Sequence, residues 1–483
     1  MKKTISIILL LSMMLTLLIA CDNGGENEET TPAVENSNEG QAEVETSTEV
    51  GPLAPRDLDG YVFRWLGTTV NEGIVYEEDD DVDTSSVKYK AQVERDAEVI
   101  DRLNVSFLDV QSGSENSVSS YMITDAMAPY SAFDAAAPHG PENISALISQ
   151  NIAADVSDIP HLRLDQAWYQ QQANKEYNIM GKLYFVASCF PALPGTCPLI
   201  FNKDMMLELN LDLPYDTILA GEWTIEKMME YCSAAYKDLG AAGRDDQDFY
   251  GYSGHTRSIC YFYQGMAGAT TSRDENGAVV PVLSNDKVDA LFTKISDFYN
   301  QSYCWTNTSL DAGVHSSSHK MFYDGNALFC FWITGTLKYY EIDAFDRGLA
   351  ILPKYDLDQE TYCMPASSGI AIFPANLENA DYTGYIFESL CEATWRVVYP
   401  ATIQEAIDFE QLTDEGSIAV QKLVDQSLTY DILKNCDPSG GLLESCGFIW
   451  YCVQNKTTPS AAASSVQAVV ERQFHEFFYG KTE

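Results

Sequence analysis

The chain has 483 residues, with 71 acidic side chains against 29 basic ones and a formal net charge of −42. Charge of that sign and size excludes nucleic acid and anionic lipid headgroups as partner surfaces. A composition 46% hydrophobic and 12% aromatic excludes a wholly disordered chain, and the length implies two or more domains, each with its own core.

The chain opens on Met1-Lys2-Lys3 and then runs apolar from Ile5 to Ala20, interrupted only by Ser6, Ser12 and Thr16. A membrane-spanning helix needs about 20 apolar residues, so a basic start with a shorter apolar run reads as an export signal, residues 1–20. The run ends in Leu18-Ile19-Ala20-Cys21, which resembles the bacterial lipobox. That resemblance implies acylation of Cys21 and a chain held at the outer face of the bacterial cell membrane by lipid. From Asp22 to Val50 there are nine acidic residues, no Lys or Arg and no aromatic. Such a segment buries too little apolar surface to offset its ordering entropy, so 21–55 reads as a lipidated Cys followed by a disordered acidic tether.

Beyond the tether, strands and helices alternate. "GYVFRWLG" (60–67) predicts a strand and "SVKYKAQVERDAEVIDRLNV" (86–105) a helix with an apolar stripe at Val93, Ala97, Ile100 and Leu103. "VSFLDV" then predicts a second strand, completing the β-α-β start of a parallel sheet. "FDAAAP" (133–138) reads as a strand running into a loop, and residues 181–207 as two strand-like runs split by "CFPALPGTC", a turn or crossover. In "GEWTIEKMMEYCSAAYKDLG" (221–240), Thr224 is an N-cap, Trp223 staples onto Met228, and Gly240 ends the helix. Eleven cysteines follow Cys21 without a C-x-x-C, most inside apolar runs, and read as small buried hydrophobes; a Cys189–Cys197 disulfide stays open.

In order, "GKLYFVAS…LIFNKDMMLELNL", "GEWTIEKMMEYCSAAYKDLG", "KMFYDGNALFCFWITGTLKYY", "GLAILPKYD…YCMPASSGIAIFP" and "FIWYCVQN" resemble the extracellular solute-binding proteins of carbohydrate ABC transporters, the maltose-binding-protein-like family 1. The resemblance implies an α/β, two-lobed periplasmic-binding-protein-like fold with discontinuous lobes joined by crossover strands near 188–198 and 362–372. Lobe one would be 56–188 with 370–432, and lobe two 198–362 with 435–480. It implies no enzyme, catalytic residue or cofactor, but a monomer that takes a carbohydrate, of oligosaccharide size, to ABC permease subunits. A surface glycosidase or polysaccharide lyase, an adhesive lipoprotein, and a carrier of peptide or polyamine are the other readings.

Carbohydrate recognition needs aromatic platforms for the C–H face of a sugar and a few polar groups for its hydroxyls. In open α/β sheets ligands sit beyond the carboxyl ends of strands, which nominates Trp65, His139, Trp332, Trp450 and Tyr451. The resemblance points to the same places and adds Phe190 at the crossover facing the cleft. Two departures stand against the family pattern: Gly335 is followed by Thr336-Leu337 rather than Pro-Trp, and "DLGAAGRDDQD" (238–248) lacks oxygen ligands at Gly240 and Ala242, so no calcium is expected there. His315 and His319 have a zinc-compatible spacing, but three serines between them make a weak helix and no third ligand is near in sequence, so no metal is expected. "EEDDD" (77–81) reads as a solvated loop.

Overall fold

In β1 (Tyr61–Gly67), alternate side chains turn to opposite faces: Phe63 and Trp65 enter one core, Leu66 another. This computed structural model describes residues 51–67, 73–74, 86–113, 117–138, 144–240, 244–307, 317–331, 345–367, 369–403, 412, 414–443 and 447–480, all within the unit Thr48–Glu483. β1 pairs in parallel with β2 (Val105–Gln111) along its whole length, Tyr61 opposite Val105 to Gly67 opposite Gln111, and with β3 (Ala135–Ala136) on its other side.

The helix between β1 and β2 runs Val87–Leu103, with the Ser86 hydroxyl accepting from the Tyr89 amide and Asn104 closing it in the left-handed region at φ 48°. Its buried face is not the expected stripe. Val93 and Ile100 are exposed, while Ala91, Gln92, Arg95, Asp96, Val99 and Leu103 are buried. The cause is an ion pair: Arg95 donates from Nε to Asp96 at 2.8 Å and from Nη2 to the Gly73 carbonyl at 2.6 Å, so two charged residues turn inward as a satisfied unit. The helix Ala380–Ala393 packs alongside, and its Glu388 is wholly buried.

A second sheet has the order β10-β7-β11-β6-β12, formed by β6 (Leu199–Asn202), β7 (Tyr250–His255), β10 (Cys304–Asn307), β11 (Ala327–Phe331) and β12 (Arg347–Ala350). β10, β7 and β11 are parallel, and β6 runs antiparallel to both neighbours. The helix Ile225–Ala235 covers it: Thr224 caps it by accepting from the Lys227 amide, and Trp223 is buried with its indole N–H on the Ile351 carbonyl at 3.0 Å. It stops five residues short of Gly240 because Lys237 exchanges backbone hydrogen bonds with Phe249. Close contact is paid at Gly251, where a Cβ would lie 2.2 Å from the Cys232 Cα.

Between the sheets the chain passes twice. One passage runs from β4 (Val186–Ala187) through β5 (Gly195–Thr196) to β6; the other runs from β12 through β13 (Met364–Ser367) to β14 (Ile370–Ala371). The two lie side by side and antiparallel, Ala366 opposite Thr196 and Ile370 opposite Ala187. An antiparallel bridge from Ala136 to Ile372 ties β14 to the first sheet, and β15 (Leu428–Thr429) joins β13 in parallel.

Two later segments depart from the expected partition. The helix Glu415–Gln426 presents Ser417, Val420 and Val424 on one face to β12, and Val420 and Val424 belong to the second-sheet core, although 370–432 was assigned to lobe one. Phe448, Cys452, Val470 and Phe474, expected in lobe two, share a core with Leu66 of the first sheet and with Phe133 and Phe185. The helix Gly447–Gln454 faces both cores, with Phe448 and Cys452 on one and Ile449 on the other. Ten cysteines after Cys21 are free thiols, nine of them buried, so Cys189 and Cys197 are not joined.

Candidate functional site

The carboxyl ends of β1, β2 and β3 and those of β7, β10 and β11 mark where an open α/β architecture takes its ligand. The residues that follow five of these strands, 68–72, 114–116, 139–143, 308–316 and 332–344, lie outside the described residues, and with them His139, Trp332 and the Gly335-Thr336-Leu337 departure. Cys21, His315 and the 77–81 acidic run lie outside them too. What is described is the floor of the junction, where the two passages lie side by side.

Trp65 and Phe190 are brought together, with ring centroids 4.9 Å apart, but both are 0% exposed. Gly73 lies over the indole so closely that a Cβ there would meet Trp65 Nε1 at 2.6 Å, and the Arg95 guanidinium sits 5.1 Å over the Phe190 ring. Covered in this way, neither ring offers a face to a ligand; they form the core that anchors the first passage. Trp450 and Tyr451 stand apart on the helix Gly447–Gln454. Trp450 is half-buried against the second-sheet core and Tyr451 is 38% exposed.

Beside β13 lies a cavity of about 250 Å³, lined by Tyr261, Gln264, Thr270, Tyr430, Asp431 and Lys434 among others. Tyr261 comes from the helix Ser258–Gly265, which starts just beyond the carboxyl end of β7, and its ring lies 5.0 Å from Phe331, the last residue of β11. Lys434 Nζ donates to the Ser367 hydroxyl at 2.8 Å and stands 5.8 Å over the Tyr261 ring, joining β13 to the segment after β15. Asp431 accepts from Gln264 at 2.9 Å, Thr270 at 2.7 Å and the Leu433 amide at 3.0 Å. Burial raises its pKa, opposed by Thr270, the Leu433 amide and Lys434. Burial also pushes the Cys197 thiol up to about 11, against the pull of Lys434 and a hydrogen bond with Tyr261.

These groups offer hydrogen-bonding and ring contacts to a ligand. The carboxylate is already held by three donors, the thiol is protonated at neutral pH, and tyrosine rings beside amide, hydroxyl and ammonium groups match a polyol ligand. Asp248, the last residue of the loop compared with a calcium site, is spent on its own backbone, accepting from the Leu239 amide at 2.8 Å and the Asp245 amide at 3.1 Å. Among the described residues no group of three His, Cys, Asp or Glu side chains could hold a metal ion. Sequence reasoning missed Tyr261, Gln264, Asp431 and Lys434. The one signal was Lys434 itself, a cation directly after the apolar pair Ile432-Leu433.

This architecture is that of two-lobed solute-binding proteins of the periplasmic type. The chain is similar to a cyclo/maltodextrin-binding protein complexed with maltotetraose, at TM-score 0.58 and 12% identity over 88% of this chain and 100% of that one. It is similar to the maltose/maltodextrin-binding domain MalE from Bdellovibrio bacteriovorus bound to maltotriose, at 0.53 and 14% over 86% and 100%. It is likewise similar to UgpB from Mycobacterium tuberculosis in complex with glycerophosphocholine, at 0.57 and 13% over 86% and 98%. No protein-family model and no curated protein matches the chain.

Proposed function

We propose that the chain is a solute-binding protein that captures a carbohydrate between two lobes and delivers it to ABC permease subunits, anchored by a lipid on Cys21 at the outer face of the membrane. The observation that carries this reading is the pair of antiparallel passages between the sheets, β4–β5–β6 beside β12–β13–β14. Two such connections allow a hinge rotation while holding register, and a ligand that touches both lobes favours the closed state by its differential contacts. Lobe one would comprise 56–188 with 370–403, lobe two 198–362 with 414–426, and the segment 430–480 would brace the junction.

The relatives of this fold hold malto-oligosaccharides, which supports a carbohydrate ligand, and the polar, tyrosine-walled junction supports the same class. A small anionic polyol is the second reading, favoured by Lys434 on the cavity wall and by the relative that holds glycerophosphocholine. Among the described residues no helix is long and apolar enough to cross a membrane, so attachment would rest on Cys21. Titration calorimetry combined with small-angle X-ray scattering tests the reading. A binding sugar should shrink the radius of gyration as the lobes close, whereas binding with an unchanged radius would contradict capture by closure.

A further inference from the structure

The helix Ala380–Ala393 passes without a break into one π-helical turn, Thr394–Val398. Such a turn bonds i→i+5 in place of i→i+4 and is frequent at functional sites. Across it Trp395 stacks on Tyr399 almost parallel, with centroids 4.6 Å apart and planes inclined by 10°. Neither ring is fully buried, in contrast to Trp65 and Phe190. The turn is pinned from the neighbouring helix, where Arg95 donates to the Thr394 hydroxyl at 3.4 Å and Arg396 donates to Glu98 at 2.5 Å, and from its own helix, where Arg396 donates to Glu392 at 2.9 Å. A rigid, partly open aromatic pair is therefore held in place by groups that take no part in the stack.

Its location is the junction. The helix end lies against the first passage: Cys189 Sγ donates to the Cys391 carbonyl at 3.1 Å, and Arg95, which bonds the Thr394 hydroxyl, sits 5.1 Å over the Phe190 ring. Cys189 and Phe190 follow the carboxyl end of β4 at the start of the first passage. The pair thus stands at the helix end that packs against the start of the first passage between the sheets. A pyranose ring has an apolar C–H face of about the size of an indole, and a stacked pair presents that partner with its rotamers already fixed.

We propose that Trp395 and Tyr399 form an aromatic platform on which a sugar ring of the ligand stacks at the junction. This rests on the carbohydrate-binding reading and supplies the platform that Trp65 and Phe190 do not.

The test uses the chain from Asp22 onward, titrated calorimetrically with maltotetraose, mannobiose and D-tagatose, with tryptophan fluorescence followed in parallel. Trp395→Ala should weaken the best of these probes by at least about tenfold. Trp395→Phe, which keeps a ring in place, should melt as the wild type does without ligand and should lose the ligand-induced fluorescence change. Tyr130→Ala, at an exposed and distant loop, should bind as the wild type does. Wild-type binding that both Trp395 variants reproduce, with the fluorescence change intact, would overturn the platform alone. A wild type that binds none of the three would remove the carbohydrate reading and the platform with it.

Discussion

Glu388 shows how much one buried carboxylate can organise. It has no exposed surface and accepts from Arg163 Nε at 2.6 Å, the Arg163 amide at 3.1 Å, Trp168 Nε1 at 3.1 Å and the Tyr169 hydroxyl at 2.6 Å. Every donor comes from the 163–169 loop, so one side chain fixes that loop to the helix Ala380–Ala393. Glu388→Ala strands the Arg163 guanidinium and two aromatic donors, and should cost about 3–5 kcal/mol in urea unfolding. Glu388→Gln keeps an acceptor and should cost less; a cost equal to that of the Ala variant would show that a neutral acceptor cannot stand in for the carboxylate. None of this was legible in "ESLCEA", because a charged residue on an amphipathic helix reads as solvated unless its partners, here 220 residues away, are known. Arg95 was missed for the same reason, its partners Gly73 and Thr394 lying 22 and 299 residues away, whereas the Thr224 cap was legible because its partner is three residues away.

At the scale of elements, the start of the helix Glu415–Gln426 ties that helix to the strand β6. Asp414 accepts from the Ser417 amide at 3.0 Å as N-cap and pairs with Lys203 at 2.7 Å, just beyond β6. Burial works to raise its pKa, but Lys203 and Ser417 outweigh it and hold the carboxyl down at about 2. The folded state therefore binds this proton less tightly than the unfolded chain does. Its contribution is complete above about pH 4 and is lost as pH falls through about 2. Asp414→Asn keeps the cap and removes the charge, so urea midpoints measured from pH 6 to pH 2.5 should fall less steeply for the variant than for the wild type. Parallel slopes would contradict a working ion pair. The elements themselves were largely legible: the β-α-β start and the split at 189–197 follow from periodicity and from Pro and Gly. The helix Glu415–Gln426 was assigned to the wrong core because the order of motifs locates a helix along the chain without saying which sheet its apolar face meets.

At the scale of the molecule, the fold was read from the order of the motifs, whereas among the described residues none of the site residues expected from the sequence lines the cavity beside β13. A two-sheet architecture is fixed by many weak periodic signals, and its expected form is the one found. A binding site depends on a few side chains that distant segments bring together: Tyr261, Asp431 and Lys434 are separated by up to 173 residues of sequence yet line one cavity. Large aromatics invite a ligand reading, but in Trp65 and Phe190 they serve the core, because the residues that bury an aromatic are as remote as those that would present it.

The central claim is capture without turnover, and thermal unfolding of the chain from Asp22 onward against a panel of mono- and oligosaccharides, with each sugar recovered and analysed afterwards, tests it most directly. A ligand that binds only the native state must raise the midpoint, by several degrees when it is far above its dissociation constant. The account predicts a raised midpoint with the sugar recovered intact. A raised midpoint with the sugar cleaved would make the protein an enzyme, and no shift with any sugar would contradict a carbohydrate carrier.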